Sequence, residues 1–174
     1  MKRIVTATVN NRSGVLNRIT GLFSRRNYNI ESITVGHTET PDISRMTFVV
    51  NVDDARKAEQ LTKQLNKQID VIKVQDITDQ PMVSRELALI KVITTPQTRS
   101  EISGLIDPFR ATVVDVSRTT TVVQVTGDSA KVEALIELLR PYGIKEVART
   151  GTTAFARGTG VKPNQDNRSI SLIQ

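Results

Sequence analysis

The sequence predicts an α+β fold of two tandem βαββαβ units, and three observations carry that expectation. Segments rich in β-branched residues alternate apolar and polar positions with a period of two. Between them lie segments whose apolar residues fall on one helical stripe. The order strand, helix, strand, strand, helix, strand then runs through the chain twice.

In the first unit, Arg3 to Asn10 (RIVTATVN) has the alternation of a half-buried strand, and Asn11 to Gly14 forms a turn. Val15, Leu16, Ile19, Leu22 and Phe23 follow at helical spacing, and this helix ends near Asn27. Residues 30–37 and 45–52 read as two further strands joined by a loop from Thr38 to Asp42. Met46, Phe48, Val50 and Val52 share one face of the second. Asp53 or Asp54 caps a helix with a thin stripe of Ala58, Leu61 and Leu65, and Ile69 to Ile77 closes the unit. Both helices pack on one face of an antiparallel sheet, the split-βαβ or ferredoxin-like arrangement, whose other face must be covered or left wet.

Asp79 to Ser84, with Pro81, reads as a short linker. The second unit has a strand at Glu86 to Thr94, a helix at Arg99 to Phe109, and strands at Thr112 to Ser117 and Thr121 to Thr126. A helix over Ser129 to Leu139 and a strand at Ile144 to Thr150 complete it. From Gly151 onward the periodicity gives way to Gly, Thr, Asn and Ser, the composition of a tail mobile unless a partner orders it. The expected division is a first domain over 1–79, a linker over 80–84, a second ferredoxin-like domain over 85–160 and a C-terminal tail over 161–174.

Composition narrows the function classes. With 38% hydrophobic and 24% charged residues the chain is too apolar for global disorder. It has no cysteine, which excludes disulfides, thiol catalysis and Cys-rich zinc sites. No run approaches the roughly 18 apolar residues of a membrane span, and MKRIVT leads into a strand pattern rather than a signal peptide, so a cytoplasmic setting without membrane contact is expected. The net charge of +6 invites a nucleic-acid partner. The basic residues are scattered, however, and of the six aromatics only Phe48 falls on a plausible central strand. An RNA-binding βαββαβ domain stacks bases on several such aromatics, so no nucleic acid is expected.

The candidate site is Asn11-Arg12-Ser13-Gly14-Val15-Leu16, where a strand hands over to a helix whose first turn presents backbone N–H groups and a positive dipole end. Such a place suits a carboxylate as well as a phosphate. Gly14 lets a small ligand approach the backbone, Ser13 is a good N-cap, and the Asn11 amide both donates and accepts. The same pattern is also that of an ordinary turn plus cap. Gly-Lys-Ser/Thr and Gly-x-Gly-x-x-Gly phosphate loops are absent. His37, the only histidine, sits at a strand end and reads as solvent-exposed or capping, and Glu31, Asp42, Asp107 and Asp115 have no spacing that pairs them. Thr95-Pro96-Gln97-Thr98 replaces the Asn-x-Ser-Gly turn in the second unit, and Pro96 removes a donor there, so dimer contacts or signal transmission are expected of that half.

The run Asn11-Arg12-Ser13-Gly14-Val15-Leu16, followed by Gly21-Leu22-Phe23-Ser24-Arg25-Arg26-Asn27-Tyr28-Asn29-Ile30-Glu31-Ser32-Ile33-Thr34-Val35 and Ser44-Arg45-Met46-Thr47, resembles the small subunit of acetolactate synthase (acetohydroxyacid synthase), whose N-terminal half is an ACT domain. Val114-Asp115-Val116, Glu146 to Gly151 and Arg157-Gly158 resemble its second domain, and only the chain from about Val161 has no counterpart. The resemblance implies a regulatory subunit without a catalytic site or cofactor of its own. It would activate a catalytic (large) subunit carrying thiamine diphosphate, magnesium and FAD, and confer feedback inhibition by valine or another branched-chain amino acid. A homodimer or higher homo-oligomer is implied, with the effector where two ACT domains pair. On that resemblance the effector-binding residues are Asn11, Gly14, Val15 and Leu16 on one protomer and Asn29 and Ile30 on its neighbour, with the Gly14 and Val15 amides meeting the carboxylate. The alternative is an ACT-type amino-acid sensor controlling another enzyme.

Overall fold

Lys2 to Asn10 form β1, an inner strand in which Val5, Ala7 and Val9 alternate with Thr6 and Thr8. It is followed by α1 (Val15–Arg25), β2 (Asn29–His37), β3 (Ile43–Asn51), α2 (Ala55–Asn66) and β4 (Val71–Asp76). The computed structural model describes residues 1–158. The four strands make an antiparallel sheet in the order β2-β3-β1-β4, as the βαββαβ order predicts. Val5, Ala7 and Val9 of β1 and Met46, Phe48 and Val50 of β3 face the helices, where they meet Ile19, Leu22 and Phe23 of α1 and Ala58, Leu61 and Leu65 of α2. Phe48, fully buried, lies against Phe23 with ring centroids 5.0 Å apart.

The second unit repeats the order with β5 (Met82–Ile93), α3 (Pro96–Ile106), β6 (Thr112–Val116), β7 (Thr120–Gly127), α4 (Ser129–Leu139) and β8 (Ile144–Arg149), in sheet order β6-β7-β5-β8. Ala88, Ile90, Val92, Val123 and Val125 pack against Ile102 and Ile106 of α3 and Val132, Leu135 and Leu139 of α4. Thr95 caps α3 in a capping box with Thr98, and Pro96 stands in the first turn, where its missing N–H costs nothing. The chain then tightens at Asp107–Phe109 into a 3-10 turn containing Pro108, so α3 stops three residues short of the Phe109 end expected from the apolar spacing.

Two expectations are corrected at the junction. The segment 80–84, read as a linker, is largely strand, because β5 begins at Met82. The chain after Gly151, read as a tail, contains a further strand, β9 (Thr153–Ala156). The two segments order each other by antiparallel pairing from Met82–Ala156 to Arg85–Thr153. Each is too short to show a period of its own, and only the pairing satisfies its backbone groups. The expected tail over 161–174 lies outside the described residues.

The β5–β9 ribbon lies across β1 and β3 on the face turned away from α1 and α2. Thr6, Thr47 and Val49 point to that face and are nevertheless buried, and Ala154 of β9 is only 1% exposed. The middle of the first sheet's second face, over Thr6, Thr47 and Val49, is therefore covered by the chain itself.

Truncating Phe48 to Ala leaves a cavity between α1 and the sheet. It should lower the unfolding free energy by about 3–5 kcal/mol, measurable as a shift of the urea midpoint without a change of slope.

Candidate functional site

The turn between β1 and α1 is built by the backbone. Asn11 N–H donates to the Asp42 carbonyl (2.7 Å) and Arg12 N–H to the Asn10 carbonyl (3.0 Å), which closes the loop against the β2–β3 connection. Gly14 then takes φ +83°, a left-handed conformation that side-chain-bearing residues avoid. Gly14, rather than Ser13, is the N-cap of α1, and no side chain closes this helix end. The expectation of a Ser13 cap is corrected for that reason. By contrast α2, α3 and α4 are closed by Asp54, Thr95 and Asp128.

The consequence is a set of unoccupied donors. Arg18 N–H makes the first intrahelical bond, to Gly14 (2.9 Å), and Val15 N–H reaches the Arg12 carbonyl at a long 3.3 Å. Among the described residues the amides of Gly14, Leu16 and Asn17 have no acceptor. Of the two amides that the resemblance implies for a carboxylate, Gly14 is open and Val15 is held only by the long bond to Arg12, with the open Leu16 and Asn17 amides beside them. Val15 is buried in the core and Leu16 is 45% exposed beside the free amides.

Asp70, which the sequence did not single out, and His37 flank this turn. Asp70, almost buried, holds the Arg18 guanidinium of α1 with its carboxylate and accepts from Asn10 N–H with its carbonyl (2.9 Å). His37, exposed at the end of β2 as expected, brings Nδ1 within 3.5 Å of the Asn11 side-chain amide. Neither stands at a spacing from Asn11 that sequence periodicity reveals.

Asn29 and Ile30 sit elsewhere. They begin β2, at the end of the sheet where Asn29 pairs with Asn51, whereas Asn11 lies at the end where His37 pairs with Ser44. Asn29 is exposed beside a shallow cleft of about 370 Å³ that Ser24, Asn27 and Tyr28 also line. Ile30 is half-buried against the core. Between Ile30 and Ser32 the register with β3 slips, which throws Glu31 out of the ladder. Lys2 Nζ (2.7 Å) and the Asn51 amide (2.7 Å) hold the Glu31 carboxylate and keep its pKa below the usual carboxylate range.

Within one chain these two groups are therefore separated by the length of β2, roughly 25 Å at strand rise. One copy cannot join them. β2 is an edge strand of its sheet, however, and antiparallel pairing of two such edges about a two-fold axis sets the Asn29 end of one copy against the Asn11 end of the other.

The remaining candidates do not converge. Among the described residues no three His, Cys, Asp or Glu side chains come together as a metal site. Phe48, the one aromatic placed for base stacking, faces the helices, and the middle of the opposite sheet face is covered by β9.

Asp70→Ala should release Arg18 and loosen the turn, at a cost of about 1–2 kcal/mol given the half-exposed arginine. Chemical denaturation at low and high salt checks it, with a smaller loss expected at high salt.

Comparison with known proteins follows the division seen in the fold. A family model described as an AHAS small subunit-like ACT domain matches residues 6–73, and one described as the small subunit of acetolactate synthase matches residues 85–158. The chain is 71% identical over 173 residues to the acetolactate synthase small subunit of Bacillus subtilis, covering 99% of this chain and 100% of that one. It is 54% identical over 158 residues to a probable acetolactate synthase small subunit of Archaeoglobus fulgidus, covering 91% of this chain and 98% of that one. The crystal structure of the acetolactate synthase small subunit from Thermotoga maritima superposes with a TM-score of 0.83 at 40% identity, over 91% of this chain and 99% of that one. With both halves matched and their order preserved, the chain belongs to the acetolactate synthase small-subunit family.

Proposed function

We propose that this chain is the regulatory partner of an acetolactate synthase catalytic subunit, raising its activity and imposing feedback inhibition by valine. The observation that carries the reading is the open N-terminus of α1. Its Gly14, Leu16 and Asn17 amides lack an acceptor among the described residues, where α2, α3 and α4 are each closed by a side chain. An amino-acid carboxylate supplies the missing acceptor and the favourable charge at that dipole end.

The effector lies between two copies in this reading. Asn11, Gly14, Val15 and Leu16 come from one, the Val15 contribution being backbone alone, since its side chain is buried. Asn29 of the other takes the ligand's ammonium with its side-chain oxygen, and Leu16 and Ile30 bound the isopropyl group. The reaction itself, two pyruvates to 2-acetolactate and carbon dioxide, belongs to the large subunit with its thiamine diphosphate, magnesium and FAD. A cytoplasmic setting is part of the proposal. No described helix is long and apolar enough to cross a membrane.

Titration calorimetry with valine, leucine and isoleucine tests the site. Valine should bind saturably, and both Gly14→Asp, which puts a carboxylate where the ligand's belongs, and Asn29→Ala should weaken it by at least about tenfold, or 1.4 kcal/mol. No binding of any of the three by the unmodified protein sinks the effector site. Adding the chain to a catalytic subunit should raise acetolactate formation, with valine reversing the gain. No change of rate sinks the regulatory role.

A further inference from the structure

Between β8 and β9 the chain passes over β2, and one residue there is held at both of its backbone groups. Thr152 N–H donates to Ser32 Oγ (3.0 Å), and Thr34 Oγ1 donates to the Thr152 carbonyl (3.1 Å). Thr152 is only 6% exposed. Ser32 and Thr34 lie opposite Val49 and Thr47 of β3, on the sheet face that β9 covers. Preceding Thr152 is Gly151, with φ +83°. A Cβ there would stand 2.7 Å from Ser32 Oγ, so any other residue is strained in backbone and displaces the serine.

The position of this clip on β2 gives it a consequence. The ladder between β2 and β3 slips between Ile30 and Ser32, so Asn29 and Ile30 are separated from the rest of the strand by a bulge. Ser32 is the first residue after it, and it is held from the second unit. Glu31, in the bulge itself, is tethered by Lys2 and Asn51, and beyond it Asn29 and Ile30 pair with Asn51 and Val50 at the end of the ladder.

We infer that the Gly151–Thr152 clip positions the ligand-facing start of β2, making Ser32, Thr34, Gly151 and Thr152 positioning residues through which the second unit sets the affinity of the effector site. The clip holds Ser32 and thereby the path of the bulge, and the bulge sets where Asn29 points. A released clip lets that end sample other conformations, and apparent affinity falls by the fraction of time the competent one is lost. By reciprocity, a ligand that fixes Asn29 tightens the clip and steadies the second unit against the first. The functional half of the inference rests on the effector reading above; the positioning half does not.

Two full-length variants test it: Gly151→Ala, and Ser32→Ala combined with Thr34→Val, which removes the hydroxyls without adding bulk. Hydrogen exchange of peptides covering 29–35 should quicken by about tenfold in both, while those covering α1 and β1 stay unchanged. Valine affinity by calorimetry should fall about fivefold or more. Unchanged β2 exchange in the folded hydroxyl variant overturns the inference, as does faster exchange with unaltered valine affinity. Should Gly151→Ala fail to fold, the hydroxyl variant decides alone. If the unmodified protein binds no valine, the effector reading fails on its own account, and the exchange measurement still judges the clip.

Discussion

Backbone hydrogen bonding along β5 is the constraint on which the arrangement of this molecule depends. Its last residues pair with β7 and β8 inside the second sheet, and its first four leave that sheet with their N–H and C=O groups still to be satisfied. β9 satisfies them, and the resulting ribbon closes the far face of the first sheet over Thr6, Thr47 and Val49. Glu86 stands where β5 changes partners. Its side chain is buried and is held by Arg149, with Ser129 also donating to it (3.4 Å), while Arg149 also reaches Glu133 (3.0 Å). A buried carboxylate is tolerated only with such partners, so the junction has polar as well as apolar reasons for keeping one geometry.

The first unit divides its labour between the two ends of one strand. At the His37 end the backbone folds into a turn that Asp70 and Asp42 brace and that leaves the Gly14, Leu16 and Asn17 amides without an acceptor among the described residues. At the Asn29 end a bulge lifts Glu31 out of the ladder, and a side-chain amide is offered to solvent. With glycine at its N-cap, α1 forgoes the side-chain cap that Asp54, Thr95 and Asp128 give α2, α3 and α4, at a cost of only about a few tenths of a kcal/mol.

Much of this was legible in the sequence, because the apolar spacing that drives burial is also the spacing that defines the elements. Val5, Ala7 and Val9, and likewise Ile19, Leu22 and Phe23, announce their faces directly. The turn at Asn11 to Gly14 was legible for its glycine and its place before an apolar stripe. What escaped depended on pairs distant in the chain. Met82 to Arg85 and Thr153 to Ala156 carry no period separately, and each becomes a strand only through the other. Ser13 has the right chemistry for a cap, but the left-handed Gly14 starts the helix one residue later. Asp70 and Thr152 act through contacts that no local pattern reports.

The length of β2 has a consequence for counting. A ligand small enough to be an amino acid cannot bridge the strand, so any ligand that needs both the Asn11 and the Asn29 ends must find them on different molecules. Occupancy of such a site is then second order in the protein. It is weak when copies are few and grows with their number even at fixed ligand, and the ligand in turn draws copies together. For a site built that way, a strand of nine residues is a spacer that ties ligand occupancy to the abundance of the protein.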